Sequence, residues 1–366
     1  MRLGESRFVK HIDFRLVIAT LALIGVGLVL LASAPNGRPL LTKQLFVAII
    51  GFGAMLVAIY VDYEFIANAY EVIYALNIMA LILTLLIAAQ TRGARSWIGL
   101  GPFTLQASEF SKLALVATLA VFMSERGGRP QDPLFLVMSF VQVVALPVLL
   151  ILLQRDTGTA LVLVAIWAGI MLAAGSRLDH MGLAMLGVFV AFGLLWKWGR
   201  LPAEHVARIR YWLHPGLDPT DEGYHYIVTP ATIGSGGVWG TGYGMGPMTQ
   251  NVRVPEQQTD MIFSVLGEEW GLVGCTVVLA LFLFLIWRGL ATIEEAKDPL
   301  GRYLAAGVVA MLLCHVFVNI GMQTGLMPIT GIPLPLMSQG GSSLISCMIG
   351  IGLLVNVHMR RRKITF

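Results

Sequence analysis

Apolar runs of about twenty residues recur along the whole of this chain, and few folds remain open to a chain built that way. A helix of that length crosses the hydrocarbon core of a bilayer with every internal backbone group hydrogen-bonded. Charge confirms the class. Asp, Glu, Lys and Arg make up 13% of the 366 residues, against 57% hydrophobic, where a soluble domain carries about 25% charged residues. The sequence therefore specifies an all-α polytopic membrane protein, a single integral membrane domain over 1–366 with little material for a soluble domain.

The first run, Phe14 to Ser33, follows Arg2, Arg7, Lys10 and Arg15. Ala32-Ser33-Ala34 imitates a signal-peptidase site, but the run exceeds a signal h-region and is read as a retained first span. Further spans are predicted at 44–61, 69–89, 110–123, 134–153, 158–175, 180–198, 261–287, 301–323 and 343–358, giving about ten transmembrane helices. An even number puts both termini on one side. Lys and Arg then divide into 14 on the terminal side and 11 on the other. Long loops cross largely regardless of charge. Setting aside Lys197, Arg200, Arg208, Arg210 and Arg253, which belong to the long connection and its helix end, leaves 14 against 6. Both termini are thus expected in the cytoplasm. The long 199–260 loop, between helices 7 and 8, is expected outside. The net charge of +4 is read as topology, not as nucleic-acid binding. Cys275, Cys314 and Cys347 sit in apolar segments without CxxC spacing and are read as small buried hydrophobes.

Polar residues beside or inside such segments are costly to keep. They concentrate in residues 252–274, VRVPEQQTDMIFSVLGEEWGLVG, where Asp260, Glu268 and Glu269 stand at the mouth of an apolar run. Glu109 and Lys112 share one helical face and form either an interfacial anchor or a pair facing an internal cavity. Asp156, in the turn Gln154-Arg155-Asp156, either caps the next helix or serves such a cavity. His315, Asn319 and Gln323 make a stripe with four-residue spacing, which suits interhelical hydrogen bonding more than a ligand set. Arg208 and Arg210 have the fork that grips phosphate oxygens. Seven glycines between Gly234 and Gly246 suit tight turns and close backbone approach and disfavour a regular helix, so a re-entrant or lid-like segment is expected. Residues 331–343, GIPLPLMSQGGSS, must be irregular, and irregular backbone at membrane depth needs protein or a watery cavity around it. These groups suggest an outward cavity with Asp260 at its rim, belonging to an enzyme acting on a lipid-linked substrate or to a transporter.

Four separated motifs carry a resemblance over nearly the full chain. They are Ala94-Arg95-Ser96-Trp97-Ile98 with Gln106-Ala107-Ser108-Glu109-Phe110-Ser111-Lys112, then Asp156-Thr157-Gly158-Thr159-Ala160, then VPEQQTDMIFSVLGEEWGLVG, and finally GIPLPLMSQGGSSL. On these the chain resembles the SEDS family (shape, elongation, division and sporulation), the bacterial polytopic peptidoglycan polymerases. The Gly234-Ser235-Gly236-Gly237 loop and Thr249-Gln250 resemble its elongation branch, RodA, more than its division branch, FtsW. The resemblance implies a glycosyltransferase that polymerises lipid II into β-1,4 glycan outside the bacterial cytoplasmic membrane, releasing undecaprenyl pyrophosphate. It makes Asp260 the essential catalytic aspartate, and Glu109, Lys112, Asp156 and Arg208 the polar residues that bind substrate. It also implies a divalent cation, Mg²⁺ or Mn²⁺, whose ligands the sequence does not reveal. A class B penicillin-binding protein is the implied partner, beside the membrane lipids and without nucleic acid. The competing class is a lipid II flippase, which would need polar groups reaching both membrane faces. Ala107, Arg155, Thr157, Met261 and Gln339 depart from the family pattern but leave the acids intact.

Overall fold

A computed structural model of the chain describes residues 12–35, 37–88, 96–100, 103–126, 131–198, 203–220 and 222–361. The principal helices are α1 (Phe14–Ser33), α2 (Gly37–Tyr60), the short α3 (Tyr63–Asn68), α4 (Tyr70–Ile87), α5 (Ala107–Glu125) and α6 (Pro133–Leu153). There follow α7 (Thr157–Ala173), α8 (Leu178–Lys197), α9 (Ala203–Leu213), α10 (Glu222–Ser235) and α11 (Pro247–Gln250). The chain then forms α12 (Ile262–Glu295), α13 (Pro299–Gln323) and α14 (Gly341–Met359). Eight of the described helices are long and apolar enough to cross a membrane. The other two expected spans fall on α7, apolar but 17 residues long, and on α8. A two-stranded hairpin, β1 (Ile98–Leu100) with β2 (Phe103–Leu105), precedes α5. No strand was expected in this helical chain, and the hairpin fits the apolar pairing of Ile98 with Leu105 across the ladder.

Helices α13 and α14 form the centre of the bundle. Lipid is as apolar as leucine, so close packing, not burial of greasy surface, holds such helices together. That requires small residues where backbones meet. A Cβ on Gly352 of α14 would lie 2.7 Å from the Met55 carbonyl oxygen of α2. Helix α13 packs on α7 and α5 in the same manner, with Gly169 against Ala310 and Gly307 against Val116. Helix α6 contains a π-helical turn at Phe140–Val144, upstream of Pro147, which has no N–H to continue the ordinary ladder. Cys275 and Cys347 are buried and unpaired, and Cys314 is half-buried and unpaired, as expected of small core residues.

The helices alternate in direction, so the bundle has two ends. At one, the beginning of α1 meets α12 through an Asp13–Arg288 ion pair. There too Tyr63 donates to Asp298 at 2.6 Å, and Asn356 near the end of α14 donates to the Ala58 carbonyl at 2.7 Å. This is the end at which both chain termini leave the bundle. At the other, Gln250 donates to the Ser33 carbonyl at 2.8 Å and Gln44 to the Ser338 carbonyl at 3.1 Å. The second is the loop end. Arg2, Arg7, Lys10, Arg362 and Lys363, on which much of the charge bias rests, lie outside the described residues, as do Ala94, Arg95 and Arg200.

The 199–260 connection is more ordered than its glycine content led us to expect. Gly234 falls inside α10, a regular helix that also tolerates Pro230. Within the glycine-rich stretch Gly236 to Gly246 runs irregularly, with positive φ at Gly237, Gly240, Gly242 and Gly244.

Candidate functional site

The loop end is organised by a break in α12. Gly271 has φ +64°, outside helical geometry, and splits the helix into a short segment of about two and a half turns after Asp260 and a long span. A break in lipid leaves carbonyls and N–H groups without partners. The glycine loop supplies them. Thr241 and Gly242 donate their N–H groups to the Glu268 and Glu269 carbonyls at 2.9 and 3.1 Å. Leu272 and Val273 donate theirs to the Gly237 and Val238 carbonyls at 2.9 and 3.1 Å. The two backbones approach so closely that a Cβ on Gly240 would lie 2.1 Å from the Glu269 carbonyl oxygen. Close backbone approach was one of the two uses expected of these glycines. Here it docks a loop onto a broken helix.

The acids just before the break are buried. Glu268 is fully buried, and its carboxylate accepts from the Met248 N–H (2.7 Å), the Thr249 N–H (2.9 Å) and the Thr249 hydroxyl (2.6 Å), capping α11. Glu269 is 1% exposed, with its carboxyl group beside the Ser33 side chain and the Gly244 backbone.

Asp260 stands just before α12 and is half-buried. A Cβ built on Gly331 would lie 3.7 Å from its Oδ2, so the irregular 331–343 segment passes directly over the carboxylate. That segment is irregular as far as Gly340, with Leu336 at φ +66°, and protein buries it through Ile332, Leu334, Leu336 and Met337, whereas Gly341 to Ser343, also expected to be irregular, already belong to α14. The first turn of α7, which follows Asp156, meets the same segment. Gly158 would put a Cβ 2.9 Å from the Thr330 carbonyl oxygen and 2.7 Å from Ile332. Residues 330–332 thus lie against both Asp260 and the start of α7. Asp156 is the cap of α7, accepting from the Thr159 N–H at 3.0 Å and hydroxyl at 2.9 Å. Its Oδ2 also accepts from Gln106 at 2.9 Å and Ser108 at 3.1 Å. Of the two uses open to it in the sequence, capping is realised.

One layer beneath, Lys112 is 0% exposed and Glu109 2% exposed. The ammonium lies 2.7 Å from Glu109 Oε2 and 2.9 Å from His315 Nε2. An ammonium has only protons to give, so His315 is neutral with its proton on Nδ1, which faces the Pro333 carbonyl at 3.3 Å. Ser346 donates to Glu109 at 3.1 Å. The pair is neither an exposed anchor nor open to a substrate in this conformation. Instead it is a buried ion pair whose histidine touches the segment covering Asp260.

Arg208 lies in α9, half-buried, and no ion pair of its guanidinium occurs among the described residues. Its carbonyl accepts from Tyr226, whose hydroxyl in turn accepts the Ile329 N–H at 3.0 Å. Trp212 of the same helix donates to the Gly325 carbonyl at 2.9 Å. Helix α9 is therefore fastened to the turn leading into residues 330–332, although no direct contact joins Arg208 to Asp260. Among the described residues no three His, Cys, Asp or Glu side chains converge to hold a metal ion. Sequence reasoning named Asn319 and Gln323 as hydrogen-bonding groups but missed their target. Asn319 Nδ2 donates to the Asp260 carbonyl at 2.8 Å and to the Ile332 carbonyl at 2.7 Å. The four-residue spacing was the signal, and only the fold shows what it grips.

A helical bundle with a broken helix docked on a glycine loop, and acids gathered under one irregular segment, defines a multi-pass membrane protein with a polar site at one end. A family model described as "Cell cycle protein", covering FtsW, RodA and SpoVE, matches residues 13–363. Stage V sporulation protein E of Bacillus subtilis is 35% identical, over 96% of this chain and 98% of that protein. Peptidoglycan glycosyltransferase RodA of Treponema pallidum is 32% identical, over 97% of this chain and 99% of that protein. The probable peptidoglycan glycosyltransferase FtsW of Geobacter sulfurreducens is 33% identical, over 98% and 99%. A chain in a solved structure on polymerization and crosslinking by a peptidoglycan synthase complex superposes with a TM-score of 0.80. It shares 30% sequence identity, and the match covers 95% of this chain and 97% of that one.

The chain belongs to the SEDS family, which joins FtsW, RodA and SpoVE. Identities of 35, 32 and 33% to its sporulation, elongation and division branches do not separate them. The preference for the elongation branch drawn from Thr249-Gln250 is weakly founded, since both residues have packing duties here, Thr249 on Glu268 and Gln250 on Ser33.

Proposed function

We propose that this chain is a peptidoglycan glycosyltransferase that polymerises lipid II into β-1,4 glycan, with Asp260 as general base. One observation carries the assignment to this residue. Asp260 is held by its carbonyl beneath residues 331–332, which also lie against the start of α7, at the end of the bundle away from both termini. The relatives named as peptidoglycan glycosyltransferases, matched over nearly their full length, support the reaction.

The acceptor lipid II places its GlcNAc 4-hydroxyl against the Asp260 carboxylate. The proton passes to the carboxylate as the oxygen forms its bond to the anomeric carbon of the lipid-linked growing chain. The bond from that carbon to the diphosphate oxygen breaks, and undecaprenyl pyrophosphate leaves with the electron pair. Attack from the opposite face inverts the centre and gives the β link. A positioned base contributes about a hundred- to ten-thousandfold, and the remainder comes from orientation and from neutralising the leaving group. Arg208 is assigned to the diphosphate because its fork matches phosphate oxygens and no ion pair engages it among the described residues. Lys112 and Glu109 act from within by fixing His315 and the covering segment; direct contact with substrate would require the ends of α5 and α13 to part. Among the described residues the acids do not assemble a protein cage for Mg²⁺ or Mn²⁺.

The excess of Lys and Arg on the terminal side supports cytoplasmic termini and an outward-facing site. Similarity to a chain of a synthase complex that also crosslinks supports a class B penicillin-binding protein as partner. The test is the purified full chain in liposomes with lipid II and Mg²⁺ or Mn²⁺, with and without that partner. Glycan polymer is the expected product, and translocation of lipid II without polymer would replace this reading with that of a flippase.

A further inference from the structure

Helix α12 begins at Ile262, and its N-cap residue, Met261, has no side chain able to cap. An α-helix leaves its first N–H groups unsatisfied, and burial makes such groups costly. The cap comes from another helix. Gln323 Oε1 of α13 accepts from the Ser264 N–H at 2.8 Å and the Ser264 hydroxyl at 3.0 Å. Gln323 Nε2 donates to Asn319 Oδ1 at 2.6 Å, and Asn319 Nδ2 divides its protons between the Asp260 and Ile332 carbonyls. Ser264, Asn319 and Gln323 are all fully buried. The two amides thus tie three things to one face of α13. They are the residue before the half-helix, its first turn, and the segment lying over the Asp260 carboxylate.

We propose that Asn319 and Gln323 are positioning residues that set where Asp260 stands relative to residues 331–332. The inference rests on the glycosyltransferase reading above. Each amide uses both of its ends, so its orientation is fixed by its partners and a shift of α13 is passed to Asp260 without slack. A side-chain cap from Met261's own position would leave the half-helix free to rock against α13. With the cap on α13, the base and the covering segment move as one body.

The test compares Asn319→Leu, Gln323→Leu and Gln323→Glu in the full chain, with wild type and Asp260→Asn beside them. Leucine keeps most of the volume and removes every hydrogen bond. Glutamate keeps the oxygen that caps Ser264. Misplacement of about 1 Å costs about a hundredfold in rate, so each leucine variant is expected to lower kcat on lipid II about ten- to a hundredfold. KM should change by less than about threefold, because what is lost is alignment in the transition state. Amide exchange of residues 260–264 and 331–334 should accelerate in both leucine variants. Gln323→Glu, whose carboxylate still caps Ser264 but cannot donate to Asn319 Oδ1, should keep the protection of Ser264 while kcat falls. Unchanged kcat and exchange in the leucine variants would overturn the proposal. So would loss of Ser264 protection in Gln323→Glu as large as that in Gln323→Leu. If wild type makes no polymer, the glycosyltransferase reading fails, and exchange at 260–264 still decides whether the two amides hold Asp260 in place.

Discussion

The two ends of the bundle are built on opposite rules. At the terminal end four helix starts carry their own cap, Asp13 for α1, Asp62 for α3, Asp132 for α6 and Asp298 for α13, each accepting from a backbone N–H of the first turn, while α4, which follows directly on α3 at Ala69, has none. Three of these acids are also engaged elsewhere, Asp13 with Arg288, Asp62 with Arg360 and Asp298 with Tyr63. At the loop end the rule fails. Gln106, Met261 and Gly340 precede α5, α12 and α14 and make no side-chain cap, whereas Asp156 caps its own helix, α7. There the bonds run between segments: Ser342 to the Gln106 N–H, Gln323 to Ser264, and the glycine loop to the break at Gly271. Local caps make an end that each helix can build alone. Bonds between segments make an end that exists only when the whole bundle is assembled, and that is where the acids are collected.

The contrast can be broken most sharply at the buried ion pair. Lys112→Met leaves the Glu109 carboxylate buried without its countercharge, and such losses cost about 3–5 kcal/mol. Thermal unfolding in detergent should show a large drop, and Glu109→Gln added to Lys112→Met should restore most of it. If the double variant also recovers polymer formation, the pair serves only the scaffold. Next in size is Gly271→Ala. A Cβ there would lie 2.3 Å from the Gly240 nitrogen at a φ of +64°, and strain of this kind costs about 1–3 kcal/mol. The expected result is a lower unfolding temperature together with loss of activity, because the same crossing carries the loop end. At the terminal end the effect should be smaller and silent in activity. The Tyr63 phenol is buried and donates to Asp298, and both factors raise its pKa above its ordinary value. The neutral phenol is thus the favoured form, so its contribution is complete below about pH 10 and fades as pH rises toward the folded value. Tyr63→Phe should cost about 1 kcal/mol near neutrality and remove that part of the alkaline loss of stability, with glycan synthesis unchanged.

Much of the fold could be read from the sequence because bilayer thickness sets a length that apolar runs must meet. The runs predicted at 301–323 and 343–358 correspond to α13 and α14 nearly to the residue. The hairpin at 98–105 was not seen, since three-residue strands are too short for a period to register. The site was legible as a set of residue types but not as an arrangement. Asp156 could be named as cap or cavity group, and only the approach of Gly158 to Thr330 shows that it caps α7 beside the segment over Asp260. Glu268 stood out as an acid in an apolar run, yet its partners are backbone N–H groups twenty residues away, which no side-chain pattern records. The break in α12 was hidden for a similar reason. Gly271 is one glycine in a continuous apolar run, and its meaning depends on Gly240 arriving from another segment.

The central claim is that one carboxylate at the loop end takes the proton of the attacking hydroxyl. The most direct measurement is glycan polymer formation from lipid II by the purified Asp260→Asn protein, reconstituted with its partner and compared with wild type at equal amounts of folded protein. The account predicts an unfolding temperature near that of wild type and no detectable polymer; polymer at the wild-type rate would contradict it.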